Sequence, residues 1–161
     1  MKSGLDGILN AMKIVIQRVK NASVTIDEEV HGKIQIGYMI LVGIQDSDNE
    51  EILKKMALKV SNLRIFEDEN GKMNLNLSQV GGDILSISQF TLYADCHKGN
   101  RPSFSSAGKP EHAKKMYLAF NEELRALGIH VEEGIFGADM KVELLNDGPV
   151  TIILDSAIDI R

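Results

Sequence analysis

The chain lacks tryptophan, has one cysteine and three prolines, and only 5% of its residues are aromatic. A single Cys96 cannot close an intrachain disulfide, and with no Cys or His cluster the sequence holds no structural zinc pattern, so a reducing compartment, the cytoplasm, is expected. No apolar run approaches the roughly 18 residues that span a bilayer, and only Lys2 precedes a mixed N-terminal stretch, so neither membrane nor export is expected. Positive charge is also scarce. Eighteen Lys and Arg against 23 Asp and Glu leave a net charge of −5, which excludes a globally basic nucleic-acid coat protein. What is present suffices for one core. With 161 residues, 43% hydrophobic and 25% charged, the chain reads as a single globular domain.

Residues Met1 to Ala11 show no clear periodicity and read as an N-terminal extension or tag remnant, with the domain spanning residues 12–161. From Met12 onward β-branched residues predict strands over Lys13–Val19, Ala22–Ile26, Val30–Ile36 and Tyr38–Ile44. Asp27-Glu28 and Gly37 fall where turns are needed, which predicts antiparallel hairpins. A capped amphipathic helix is expected over Asn49–Asn62, then short strands over Leu63–Phe66 and Met73–Leu77 around an Asn70-Gly71 turn. Asp83–Ala94 reads as a buried strand running into polar residues, and Asp95–Lys109 as a surface loop. Pro110 opens a second helix to Leu127. Strands over Ile129–Glu132, Lys141–Leu145 and Val150–Asp155 complete the chain. The expected class is α+β: a single domain with an antiparallel-rich mixed β-sheet and two main helices.

Three features depart from plain folding chemistry. Ser88-Gln89-Phe90-Thr91 puts three hydrogen-bonding side chains into a strand otherwise filled with Ile and Leu. Left unpaired in a core they would cost about 1–3 kcal/mol each. They mark either an edge strand with a polar face or a site. On a strand, Ser88 and Phe90 would face one way, Gln89 and Thr91 the other. Asn146-Asp147-Gly148-Pro149 is either a simple turn or a cis-proline feature. Between Cys96 and Lys115, the five cations Lys98, Arg101, Lys109, Lys114 and Lys115 face only Glu111, a local +4 that leaves the rest of the chain at −9. This is either a phosphate-binding patch or a solvated face. The four histidines, His31, His97, His112 and His130, stand in different elements without metal spacing. His112 reads as a half-buried helix residue, and His97 as either a loop residue or a phosphate contact. No Gly-x-Ser-x-Gly elbow is present.

Taken in order, the segments MKIVIQRV, ASVTI, RIFEDENGKMNLNL, SQFTLYAD, KGNRPSF, ADMKVEL and NDGPVT resemble the D-aminoacyl-tRNA deacylases, also called D-tyrosyl-tRNA deacylases, from Met12 to about Leu154. The resemblance implies a cytoplasmic homodimer that hydrolyses the ester joining a D-amino acid, or glycine, to the terminal adenosine of tRNA, without a cofactor. It implies catalytic residues Ser88, Gln89, Phe90 and Thr91, and substrate-binding residues Met140, Gly148 and Pro149, the last two as a Gly-cisPro motif entering the pocket of the other subunit. Lys98 and Arg101 are the expected tRNA contacts, and no metal is expected. An aminoacyl ester is already activated, so orientation and donors to the developing oxyanion suffice, with the ribose 2′-OH assisting. Thr91 is either a nucleophile or a positioning residue. The second is favoured, because no His or Lys lies beside it to act as base. The alternatives are an esterase with Thr91 as nucleophile and a non-catalytic tRNA-binding module.

Overall fold

A computed structural model describes residues 11–160. The expected extension over Met1–Ala11 therefore lies outside the described residues except for Ala11, which is buried at 1% exposure.

The first strand is longer than its sequence pattern suggests. β1 runs unbroken over Lys13–Ile26, and its partner on one edge is the final strand, β8, over Lys141–Asp155. Its other edge is shared by two successive strands. β2 (Glu29–Ile34) pairs with the second half of β1, and β3 (Gly37–Gly43) pairs with the first half. The β1–β2 hairpin turns at Asp27-Glu28, both at positive φ (50° and 66°), as a tight two-residue reversal requires. The hairpin expected at Gly37 does not form. β2 and β3 instead follow the same direction along β1, with Ala22 opposite Ile34 and Val19 opposite Gly37. Gly37 marks a close approach rather than a reversal, since a Cβ there would stand 1.8 Å from the Asp83 carbonyl oxygen.

β6 (Asp83–Ser88) lies parallel to β3, and β7 (Val131–Glu133) lies parallel to β6, so the sheet is mixed, in the order β2-β1-β3-β6-β7 with β8 beside β1. β4 (Phe66–Glu67) and β5 (Met73–Leu75) form a separate small ribbon, shorter than the strands expected there. Helices α1 (Glu50–Asn62) and α2 (Pro110–Ala126) cover one face of the sheet. Asn49 caps α1 through its Oδ1, which accepts from the Ile52 N–H at 3.0 Å. Pro110 starts α2 where its missing N–H costs nothing. Between these helices and the sheet lie Ile14, Ile16, Tyr38, Ile40, Leu53, Met56, Phe120 and Leu124. Val19, Met39, Leu85 and Ile87, in the opposite phase, join Ala22 and Val24, which lie beyond the register shift in β1, and Ile34 in a second core. β2 closes over this second core, where a Cβ at Gly32 would meet the Glu132 Cβ at 3.3 Å and the Leu85 Cδ1 at 3.4 Å.

The α+β class, with one mixed sheet and two main helices, is the observed one. Two predicted elements change. The strand over Asp83–Ala94 stops at Ser88, and Phe90–Tyr93 forms a single turn of 3-10 helix. The strands Lys141–Leu145 and Val150–Asp155 are one strand, because β8 lies at the sheet edge, where proline withdraws no needed donor. Residues 147–150 bulge out of register, so that Val19 faces Asn146 while Gln17 faces Thr151. A short α3 (Ser156–Asp159), not anticipated, follows β8.

Candidate active site

The C-terminal ends of the parallel strands β3 and β6 open into a cavity of about 650 Å³. Ser88 ends β6 opposite Val42, and the Gln89 N–H donates to the Val42 carbonyl at 2.8 Å, the last sheet bond before the chain turns. The 3-10 turn then re-aims the chain. Its first N–H groups, near Phe90, have no acceptor within the turn and remain available as donors beside the cavity. Ser88, Gln89 and Phe90 all line the cavity, together with Met140, which arrives from the segment before β8. The expected two-faced strand arrangement of Ser88 to Thr91 is thus replaced by a turn. The edge-strand reading also fails, because β6 lies between β3 and β7.

Most of the remaining lining is apolar and distant in sequence. Phe104, Ala107, Gly108 and Lys109 come from the loop before α2, Ala113 and Tyr117 from α2, and Phe136 from the loop after β7. Phe90 is 57% exposed and meets Phe104 edge to face, with ring centroids 5.1 Å apart. Beneath the cavity a polar chain fixes the floor. The Tyr117 hydroxyl donates to the Ser86 carbonyl at 2.6 Å, Ser86 Oγ donates to Asn121 Oδ1 at 2.7 Å, and Asn121 Nδ2 donates to Glu133 Oε2 at 2.7 Å. Burial pushes the Tyr117 phenol above its ordinary pKa. It stays a neutral donor. Among the described residues, the lining holds no carboxylate and no histidine. The site can orient and polarise an ester, and its one ionisable amine, Lys109, stands at the rim.

Thr91 is outside the lining. It is exposed, and its Oγ1 accepts from Gln89 Nε2. Lys98 and Arg101 are exposed on the loop before α2, with Lys109 at the cavity rim. His97 is held by Asp95 at 2.5 Å, an interaction that lowers the Asp95 pKa. Gly148 and Pro149 do not line the cavity of their own chain. They sit exposed in the β8 bulge, their peptide bond is cis, and Gly148 has φ 136°. Arg18 anchors this bulge from β1. Its Nε donates to the Asp147 carbonyl at 2.9 Å and its Nη1 to the Ile65 carbonyl at 2.7 Å, with Glu67 4.0 Å from Nη2.

Sequence reasoning missed Arg18, Asn121, Tyr117, Phe104 and Phe136. Two of them carried a signal. Arg18 continues the buried phase of Ile14 and Ile16, and Asn121 stands on the apolar face of α2 beside Phe120 and Leu124.

An α+β domain with this mixed sheet, and with its cavity at the ends of β3 and β6, has close counterparts among solved structures. One titled c-Myc DNA Unwinding Element Binding Protein superposes with a TM-score of 0.82 at 42% identity, over 88% of this chain and 97% of that one. A probable eukaryotic D-amino acid tRNA deacylase superposes with a TM-score of 0.79 over 90% of this chain and 99% of that one. At 17% identity it speaks for the fold alone. The family profile described as D-Tyr-tRNA(Tyr) deacylase matches residues 15–155. D-aminoacyl-tRNA deacylases from Anoxybacillus flavithermus and Thermus aquaticus are 59% and 56% identical, over 90% and 91% of this chain and 99% and 96% of their own. The relative of the same name from Bifidobacterium animalis subsp. lactis is 56% identical over 90% of this chain and 97% of its own. The chain belongs to the D-aminoacyl-tRNA deacylase family, as the ordered motifs implied.

Proposed function

We propose that the chain is a hydrolase that cleaves the ester of D-aminoacyl-tRNA in the cavity at the ends of β3 and β6, releasing free amino acid and tRNA. The observation that carries this reading is the meeting of Ser88, Gln89, Phe90 and Met140 in a cavity lined by no carboxylate and no histidine, which suits an activated ester. Backbone N–H groups at the Phe90 turn stabilise the oxyanion, and the ribose 2′-OH assists the attacking water. Thr91 positions rather than attacks, since its hydroxyl is exposed and bonded to an amide. Lys98 and Arg101 contact the tRNA backbone.

The working unit in this reading is a homodimer in the cytoplasm. Gly148 and Pro149 of one copy complete the cavity of the other, and what supports this is their exposure on a bulge away from their own cavity. Backbone groups there read the α-amino group and leave no room for an L side chain, so glycine also passes.

The test is incubation of the protein with D-tyrosyl-, L-tyrosyl- and glycyl-tRNA and with a simple amino-acid ester, alongside light scattering. Cleavage of D-tyrosyl- and glycyl-tRNA alone, by a species of about twice 17.8 kDa, is expected. Comparable rates on L- and D-tyrosyl-tRNA, a fully active monomer, or turnover of the simple ester through a trapped acyl-Thr91 would overturn it. Binding of tRNA without turnover would leave only a tRNA-binding module.

A further inference from the structure

Behind the cavity wall lies a polar cluster that the chemistry above does not use. Asp48 is 3% exposed and Gln45 2% exposed, both in the turn between β3 and α1. The Gln45 N–H donates to Asp48 Oδ2 at 2.7 Å, and Gln45 Nε2 donates to the Ser106 carbonyl at 2.7 Å. Two more bonds tie the same turn to the loop that walls the cavity: Gly108 N–H to the Ile44 carbonyl at 3.0 Å, and Lys109 N–H to Asp46 Oδ1 at 2.8 Å. The fit is close. A Cβ at Gly108 would lie 2.9 Å from the Ile44 oxygen.

Two side-chain atoms here, Gln45 Oε1 and His112 Nε2, are buried and unpartnered among the described residues, while the Asp48 carboxyl accepts from the backbone N–H groups of Gln45 and Met12. Buried polar atoms of a purely structural cluster are almost always paired. His112 stands in the first turn of α2, between the cavity-lining Pro110 and Ala113. The ionisable groups facing Asp48 are His112 from α2, Asp155 from the end of β8 and Tyr93 from the 3-10 turn. Tyr93 is committed elsewhere, donating to the Ala11 and Gly43 carbonyls at 2.7 and 2.8 Å. Lys13 lies over the Tyr93 ring, 5.4 Å from its centroid, and Asp155 Oδ1 accepts from the Ala157 N–H.

Resting on the reading of this cavity as the deacylation site, we propose that Asp48 is a positioning residue, a buried carboxylate facing His112 whose charge sets the stance of the Phe104–Lys109 wall and so the affinity for the acylated tRNA end. When Asp48 is ionised it is an acceptor only, and it holds the Gln45 N–H and the turn that carries Ile44 and Asp46. When protonated, that charge-assisted bond is weakened and the wall loosens. Burial, aided by Asp155, lifts the Asp48 carboxyl to about 6 against the hydrogen bonds from the Gln45 and Met12 backbone and the neighbouring His112. The switch therefore falls in a range where tRNA esters can be assayed. An ionised buried carboxylate disfavours folding, so its place beside a binding wall points to a role beyond packing.

The test has two readouts on the full-length protein. In wild type, the Gly108 amide resonance should titrate with a midpoint near the Asp48 value of about 6. It should not move in Asp48→Asn. For D-tyrosyl-tRNA, the wild-type KM should rise as pH falls from neutrality through that midpoint, with kcat following its own profile. Asp48→Asn should hold a KM about 5- to 10-fold above the neutral wild-type value, independent of pH, with kcat within about twofold. His112→Gln should shift the Gly108 midpoint. Amide fingerprint spectra of both variants establish that they fold. An unchanged Gly108 titration in Asp48→Asn, or equal KM values at neutral pH, overturns the proposal. A wild-type protein that shows the Gly108 titration but cleaves no D-aminoacyl-tRNA overturns the assignment of the cavity, and with it the substrate role of Asp48, while the titrating clamp itself stands.

Discussion

Replacing Arg18 with methionine tests whether the β8 bulge is held from β1. The side chain is 5% exposed and makes two bonds to backbone carbonyls, at 2.9 Å to Asp147 and 2.7 Å to Ile65. Bonds from a charged donor contribute about 1.5–3 kcal/mol each, and both acceptors lose their partner in Arg18→Met. Glu67, 4.0 Å away and largely exposed, adds less than about 1 kcal/mol. Methionine recovers part of the apolar packing of the arginine stem. The expected loss is about 3–4 kcal/mol in urea unfolding at pH 7. Arg18→Lys should recover less than half of it, because an ammonium cannot reach both carbonyls with the fork geometry of guanidinium. The same variants should lose discrimination between D- and L-tyrosyl-tRNA before they lose turnover, since the anchored residues are Asp147 and its neighbours Gly148 and Pro149. Arg18→Met with stability within about 0.5 kcal/mol of wild type and unaltered selectivity would refute the anchoring role.

Asp48 makes a separate prediction about stability. Its folded pKa is raised from 3.8 to about 6, so the folded state holds its proton more tightly than the unfolded chain does. Stability from this group is present below pH 3.8 and is lost as pH rises through about 6. Asp48→Asn should gain about 2–3 kcal/mol relative to wild type between pH 4 and pH 8 in denaturant melts, and a constant difference would contradict the assignment. Gly108→Ala forces its methyl to 2.9 Å from the Ile44 oxygen and 3.2 Å from two Gln45 backbone atoms. It should lower stability by about 1–3 kcal/mol and raise KM, and neutral behaviour in both would show that the wall tolerates displacement. Thr91→Ala should retain a substantial share of deacylation, whereas Lys98→Ala with Arg101→Ala should weaken tRNA binding and flatten its salt dependence. Filter binding over a salt series and single-turnover kinetics separate the two effects.

Much of the fold was legible because it depends on local signals. Pro110 and the spacing of Ala113, Met116, Tyr117, Phe120 and Leu124 define α2 without tertiary help, and Asp27-Glu28 marks a true hairpin. Gly37 misled because a glycine needed for close approach looks the same in sequence as one needed for a turn. Gly148-Pro149 misled for a related reason: proline reads as a strand breaker, yet an edge strand can carry it within a bulge. At the site, Ser88 to Thr91 stood out by composition, but four residues are too few to tell an alternating strand from a strand end running into a four-residue 3-10 turn. The cavity wall was hidden altogether. Phe104, Tyr117 and Phe136 converge only through the packing of α2 and two loops, which no local periodicity encodes.

The pairing of β1 with β8 has a consequence for how the protein is made. Lys13 lies opposite Asp155, so the longest ladder in the sheet joins nearly the first described residue to nearly the last. A ribosome adding roughly 5–20 residues per second releases β1 many seconds before its partner exists. Until then, the edge of β1 that β8 will occupy is an open template. The β1–β2 hairpin and the β3–β6 pair can assemble early, but the sheet closes last and at once, when the C-terminal strand emerges. A nascent chain stalled before β8 is thus a sticky half-sheet. Pairing with β8 fills that edge of β1 and makes β8 the outer strand of the sheet.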